Sequence, residues 1–168
     1  IGLAMHYYHE TFGTFPPAWT NHHAVAGKGG RYGWQTFLTP FIDQAPLYQR
    51  LNFSDQKPEK ARKLLEKVIP PYRCPADATD ALNPFRDKFA TSNYSANVGT
   101  VSPPRWLDSK MSFNWPGQAP TPTKTDGICW FNSNCRFRDI IDGSSNTFMV
   151  GERSIAGGAG IWMGVRGN

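Results

Sequence analysis

The spacing of apolar and polar positions divides the chain into a helical first half and an extended second half. In IGLAMHYYHETF, Ile1, Met5, Tyr8 and Phe12 recur at i, i+4, i+7 and i+11, which sets four bulky groups on one helical stripe. His6, His9 and Glu10 lie off that stripe, so the segment is amphipathic. Gly13 suits a left-handed stop, and Pro16 and Pro17 forbid continuation. The pattern is already running at Ile1 with no capping residue before it. Residues 1–12 therefore read as the C-terminal part of a longer helix.

After a Pro/Gly-rich loop over 16–33, a helical subregion is predicted over 34–73. Trp34, Phe37, Leu38, Phe41 and Ile42 form a wide core-facing stripe. Pro40 must kink or reset it, and Asp43 suits the cap of a short helix carrying Leu47 and Leu51. A third helix is predicted from about Pro58 to Val68, burying Ala61, Leu64, Leu65 and Val68, and ended by Pro70 and Pro71. Residues 83–168 form a loop and sheet subregion. Asn93 to Val101 is an extended run. Phe148 and Val150 alternate around Met149, and IWMGV at 161–165 is a second β-like run. The GGAG segment at 157–160 between them predicts an antiparallel pair, and DGSSN at 142–146 is a turn. Helices first and strands later give a single α+β domain over 1–168, with an N-terminal helix packed on an antiparallel sheet.

Composition sharpens this picture. Among 168 residues, 39% apolar and 14% aromatic content argues against disorder, while 14 Pro and 16 Gly imply long irregular loops. No run approaches the ~20 apolar residues of a membrane span, and no signal peptide is visible. The net charge of +5 is concentrated in Lys57, Lys60, Arg62, Lys63, Lys67 and Arg73. Glu59 and Glu66 interrupt that run, so it reads as a solvated helix face more than as a nucleic-acid patch.

Candidate chemistry is sparse. Cys129 and Cys135 frame the loop CWFNSNC and are a candidate disulfide, which favours an oxidising, extracytoplasmic location. Cys74 is left buried or partnered outside the chain. His6 and His9 lack a third ligand fixed nearby and read as packing or surface residues. Ser144 and Ser145 have no nucleophile elbow. Asp139 and Asp142 are candidate ligands for a structural calcium, although DGSSN makes a good turn without one. No paired carboxylates or other catalytic constellation emerges, so the reading is non-enzymatic with no further cofactor. Trp106, Phe113 and Trp115 read as pins for the long loop. If exposed, Trp19, Trp106, Trp115 and Trp130 would instead suit stacking on sugars, the mark of a secreted solute- or glycan-binding module.

IGLAMHYYHETFGTFPPA, WQTFLTPFIDQAPLYQRL, YRCPAD, SNYSANVG and FRDIIDGSSNTFMVGE occur in that order. They resemble a large bacterial family of prepilin-type proteins, type IV pilin-like and type II secretion pseudopilin-like, with a C-terminal H-X9-DG motif. The resemblance implies a pilin-like fold whose long apolar N-terminal helix continues upstream of Ile1, is cut by a prepilin peptidase, and anchors the subunit in the inner membrane before assembly. It implies assembly along the helix face Ile1, Met5, Tyr8 and Phe12 with copies of the chain or other pilin-like subunits, into an extracellular filament or secretion pseudopilus. The H-X9-DG segment is not found after Gly160, so a sheet short of its final strands is expected.

Overall fold

A computed structural model describes residues 1–20, 32–51, 53, 61–99, 126–130 and 132–164. The fold is α+β, with short antiparallel strands. Helix α1 (Gly2–Phe12) closes at Gly13, whose φ is 73°. Ala4 and Met5 are buried, Ile1 and Tyr8 are half-buried, and Phe12 is exposed. The stripe read from the sequence thus points into the protein's own body over its first two turns. It emerges only at Phe12, which keeps ring contacts with Tyr8 and Phe41. Met5, at 0% exposure, is core and is not available to a partner.

Helix α2 (Trp34–Leu38) is buried at Trp34, Gln35, Thr36 and Leu38, on its polar side as well as its apolar one. The polar side is covered because it completes backbone bonding elsewhere. Thr36 Oγ1 donates to the Met163 carbonyl at 2.8 Å, Gln35 Nε2 donates to Ser92 Oγ, and the Tyr72 hydroxyl donates to the Gln35 carbonyl at 2.6 Å. Each of these three buried polar groups of the α2 region is matched, as burial requires. The reset expected at Pro40 takes the form of a 3-10 turn, Thr39–Ile42. Asp43 ends that turn at φ 60° and does not cap the next helix, α3 (Ala45–Arg50), which starts after Gln44. Asp tolerates the left-handed region better than most residues. Helix α4 (Arg62–Leu65) is shorter than predicted, and the expected start at Pro58 lies outside the described residues. Because helical phase is lost after Leu65, Val68 is exposed and Ile69 is buried in its place.

Among the described residues four short strands follow: β1 (Thr91–Ser92), β2 (Tyr94–Ala96), β3 (Val150–Glu152) and β4 (Gly160–Ile161). The predicted pairing of the last two with each other does not occur. β3 pairs with β2 and β4 pairs with β1, both antiparallel. The run 91–96 thus pairs with two separate short strands, and residues 153–159 form an excursion between them. Two buried asparagines hold its ends. Asn93 accepts the Arg153 N–H at its carbonyl and donates Nδ2 to the Arg153 carbonyl, while Asn83 Nδ2 donates to the Ala159 carbonyl at 2.9 Å.

Two apolar clusters flank α2. One gathers Leu65, Ile69, Tyr72, Phe89 and Trp162; the other gathers Met5, Phe15, Trp34, Leu38, Ile128 and Cys129. The N-terminal helix meets the β2–β3 ribbon through the second, against which Tyr94, Ala96 and Val150 pack. The clusters are drawn together where Gly33 meets Gly164: a Cβ on Gly33 would lie 2.7 Å from the Gly164 Cα. Only glycine admits that backbone approach.

Burial pushes the Tyr72 hydroxyl far above its ordinary range, and burial, followed by the nearby Tyr48, pushes Tyr8 up to about 12. Below pH ~10 both native and unfolded chains keep these protons. Above it the unfolded chain releases them first, so stability falls as pH rises toward and through the folded values. Urea midpoints are expected to fall from about pH 8.5, where the unfolded chain's counterpart of the buried Cys129 thiol begins to ionise, and more steeply above ~10 with the tyrosines. Tyr72→Phe should flatten that drop while costing about 1 kcal/mol at neutral pH through the lost hydrogen bond.

Candidate functional site

Residues of the segment RFRDIIDGSSNT line a cleft of about 540 Å³. Its first turn is self-closing. Asp139 Oδ2 accepts the Arg136 N–H at 2.9 Å, and the Arg136 carbonyl accepts the Asp139 N–H at 3.0 Å. These bonds hold the 3-10 turn Phe137–Asp139. α1 supports it from behind: Phe137 stacks on His6, meets His9 and Phe15 edge-on, and donates its N–H to His9 Nε2 at 3.3 Å. The two histidines are thus packing partners of this turn.

The opposite wall comes from the cysteine loop. Asn97 joins the walls, accepting the Cys129 N–H at its carbonyl (3.3 Å) and donating Nδ2 to the Phe148 carbonyl (2.8 Å). Gly127 allows this closeness, since a Cβ there would lie 2.3 Å from the Val98 carbonyl carbon. Gly143, at φ 88°, turns the chain beyond Asp142; its carbonyl accepts the Thr147 hydroxyl, and the Asp142 carbonyl accepts Asn146 Nδ2.

The cleft brings together Trp130, Asp139 and Asp142, which the sequence reading had placed in separate roles, and adds Arg136, Arg138, Asn134 and Ile141. The arginines were visible in the RFRD string, but no spacing rule ties them to Trp130. Trp19 packs against the second apolar cluster and does not line the cleft. Trp106 and Trp115 lie outside the described residues.

Cys129 and Cys135, the candidate disulfide, are both buried and are drawn as thiols in this structure. Burial, with Cys135 adding to it, pushes the Cys129 thiol up to about 12, and Cys135 Sγ donates toward the Arg136 carbonyl. Among the described residues no group of three or more His, Cys, Asp or Glu converges to hold a metal. Asp139 accepts the Arg136 N–H and lies 4.0 Å from Arg138 Nε, and Asp142, the other half of the candidate calcium pair, lines the same cleft. Cys74 is also a buried thiol, its N–H held by Asn93 Oδ1 at 3.0 Å.

The described part of the basic run is tied locally. Arg62 pairs with Glu66 at 2.8 Å and lies over the Phe89 ring, Lys67 Nζ donates to Gln44, and Arg73 donates to the Thr79 carbonyl. No described helix is long and apolar enough to cross a membrane.

A family model described as a protein of unknown function (DUF1559) matches residues 1–165. No curated protein and no solved structure matches the chain.

Proposed function

This chain belongs to the DUF1559 family of proteins of unknown function, and from that premise we propose that it is a non-catalytic structural subunit, a pilin or pseudopilin, of an extracellular filament or secretion pseudopilus. The observation that carries the reading is that α1 is apolar on two sides. Ala4 and Met5 face the body, while Leu3 and Tyr7, one turn apart, are 64% and 47% exposed. A helix serving only its own domain has one apolar stripe; a second, outward one suits packing against helices of further copies. The assembly face is therefore Leu3 and Tyr7, in place of the stripe running through Met5. The same contact repeated along an axis extends without closing. The head, extracytoplasmic and anchored at the inner membrane before assembly, presents the cleft and the loops outward.

The test is assembly of the full-length gene product in its host, scored by electron microscopy of sheared surface material. Leu3→Ser with Tyr7→Ser is expected to reduce filament at least tenfold, while the purified head unfolds within about 0.5 kcal/mol of the parent, as exposed substitutions do. Wild-type cells with no filament or pseudopilus containing this chain, or undiminished assembly of the double variant, would reject the reading.

A further inference from the structure

We propose that the cleft between the cysteine loop and the RFRDIID segment binds a neutral oligosaccharide. The inference stands apart from filament assembly, since it concerns one head and none of its α1 contacts. Charge balance narrows the ligand. Arg136 and Arg138 face the cleft together with Asp126, Asp139 and Asp142, so the guanidiniums bring no excess positive charge with which to hold a phosphate or polyanion. A purely apolar ligand fits no better, because such walls would lose hydration without replacement bonds.

A pyranose ring answers both halves of this lining. Its hydroxyl edge suits planar carboxylates and guanidiniums, and its C–H face suits Trp130, which packs on the core behind it and lines the cleft in front. Asp139 spends one oxygen on the Arg136 N–H, and an ionised carboxylate has about four acceptor sites, so capacity remains. Ile141 is 91% exposed at the cleft wall and offers a second apolar contact to a sugar's C–H face. The volume falls within the ~300–1,000 Å³ typical of small-molecule sites. The wall is also preformed, since Phe137 is locked onto α1 and Asn97 ties the two sides, so little ordering remains to be done on binding.

The experiment is calorimetric titration of the whole monomeric chain with cellotriose, maltotriose and tri-N-acetylchitotriose, and with inorganic phosphate in parallel. At least one trisaccharide is expected to saturate the chain below about 10 mM. Its Kd should rise at least tenfold in Trp130→Ala and in Asp142→Ala, and by less than twofold in Phe85→Ser, a change on an exposed hairpin away from the cleft. Asp142 is exposed, so its variant keeps the test open if Trp130→Ala fails to fold. Saturation by none of the three sugars, binding that survives Asp142→Ala, or binding of phosphate in their place would overturn the proposal. Filament assembly, scored separately, bears on neither outcome.

Discussion

Replacing Trp162 by Ala is expected to cost about 3–5 kcal/mol, the range for removing a large buried aromatic. Trp162 is 1% exposed and lies in the cluster of Leu65, Ile69 and Phe89. Its indole Nε1 donates to the Lys67 carbonyl at 3.1 Å, tying the end of the α4 region to the last strand. Its own carbonyl and that of Met163 receive Thr36 Oγ1 from α2. Truncation would leave a cavity beneath α2 and an unmatched carbonyl above it. For a chain of this size the melting temperature should fall by roughly 10 °C. Trp162→Phe retains most of the apolar area and should recover more than half of the loss. A Trp162→Ala variant melting within ~2 °C of the parent would show that this cluster does not hold the two halves together.

Asn93→Ala should rank second, at about 2–4 kcal/mol. Asn93 is 1% exposed at the junction of β1 and β2. Its Oδ1 accepts the buried Cys74 N–H, and its Nδ2 donates to the Arg153 carbonyl and to Asp77 Oδ2. Alanine orphans the Cys74 N–H, where water has no access. It also frees the excursion 153–159 at its first residue. Asn93→Asp separates the two roles. It keeps the acceptor for Cys74 but sets a second carboxylate against Asp77, whose own carboxyl is held below its usual range, first by the Thr79 hydroxyl and N–H, then by Asn93 and Arg73. Like charges at hydrogen-bond distance oppose each other, so this variant should be least stable at neutral pH and should regain stability on acidification toward pH ~4. Equal melting of Asn93→Ala and the parent would mean that the asparagine is incidental to the sheet.

Local rules read parts of this fold well. Gly13 stops α1 because its backbone alone relaxes at φ 73°, and Pro40 breaks the second helical region because it lacks a donor. They read sidedness less well. Gln35 and Thr36 are polar, yet both are buried, because the carbonyls of 162–163 and the Ser92 hydroxyl need partners there. Periodicity measures water affinity along one segment and cannot register a polar group supplied by a residue more than a hundred positions away. The candidate site follows the same logic. Asp139, Asp142 and Trp130 were each visible, but their meeting in one cleft depends on Asn97 and Gly127 allowing two backbones to touch.

What the amino-acid sequence determined by itself was the class: helices where apolar residues recur at helical spacing, short strands where β-branched and aromatic residues alternate, and breaks wherever Pro or Gly removes a donor or relaxes φ. These are energies of a few neighbouring residues, so they are written locally. Tertiary structure alone decided which strand pairs with which and which side of α1 is core. Each of those outcomes turns on burial and on hydrogen bonds between distant segments. Desolvation is a property of the assembled interior and belongs to no residue before the chain has closed around it.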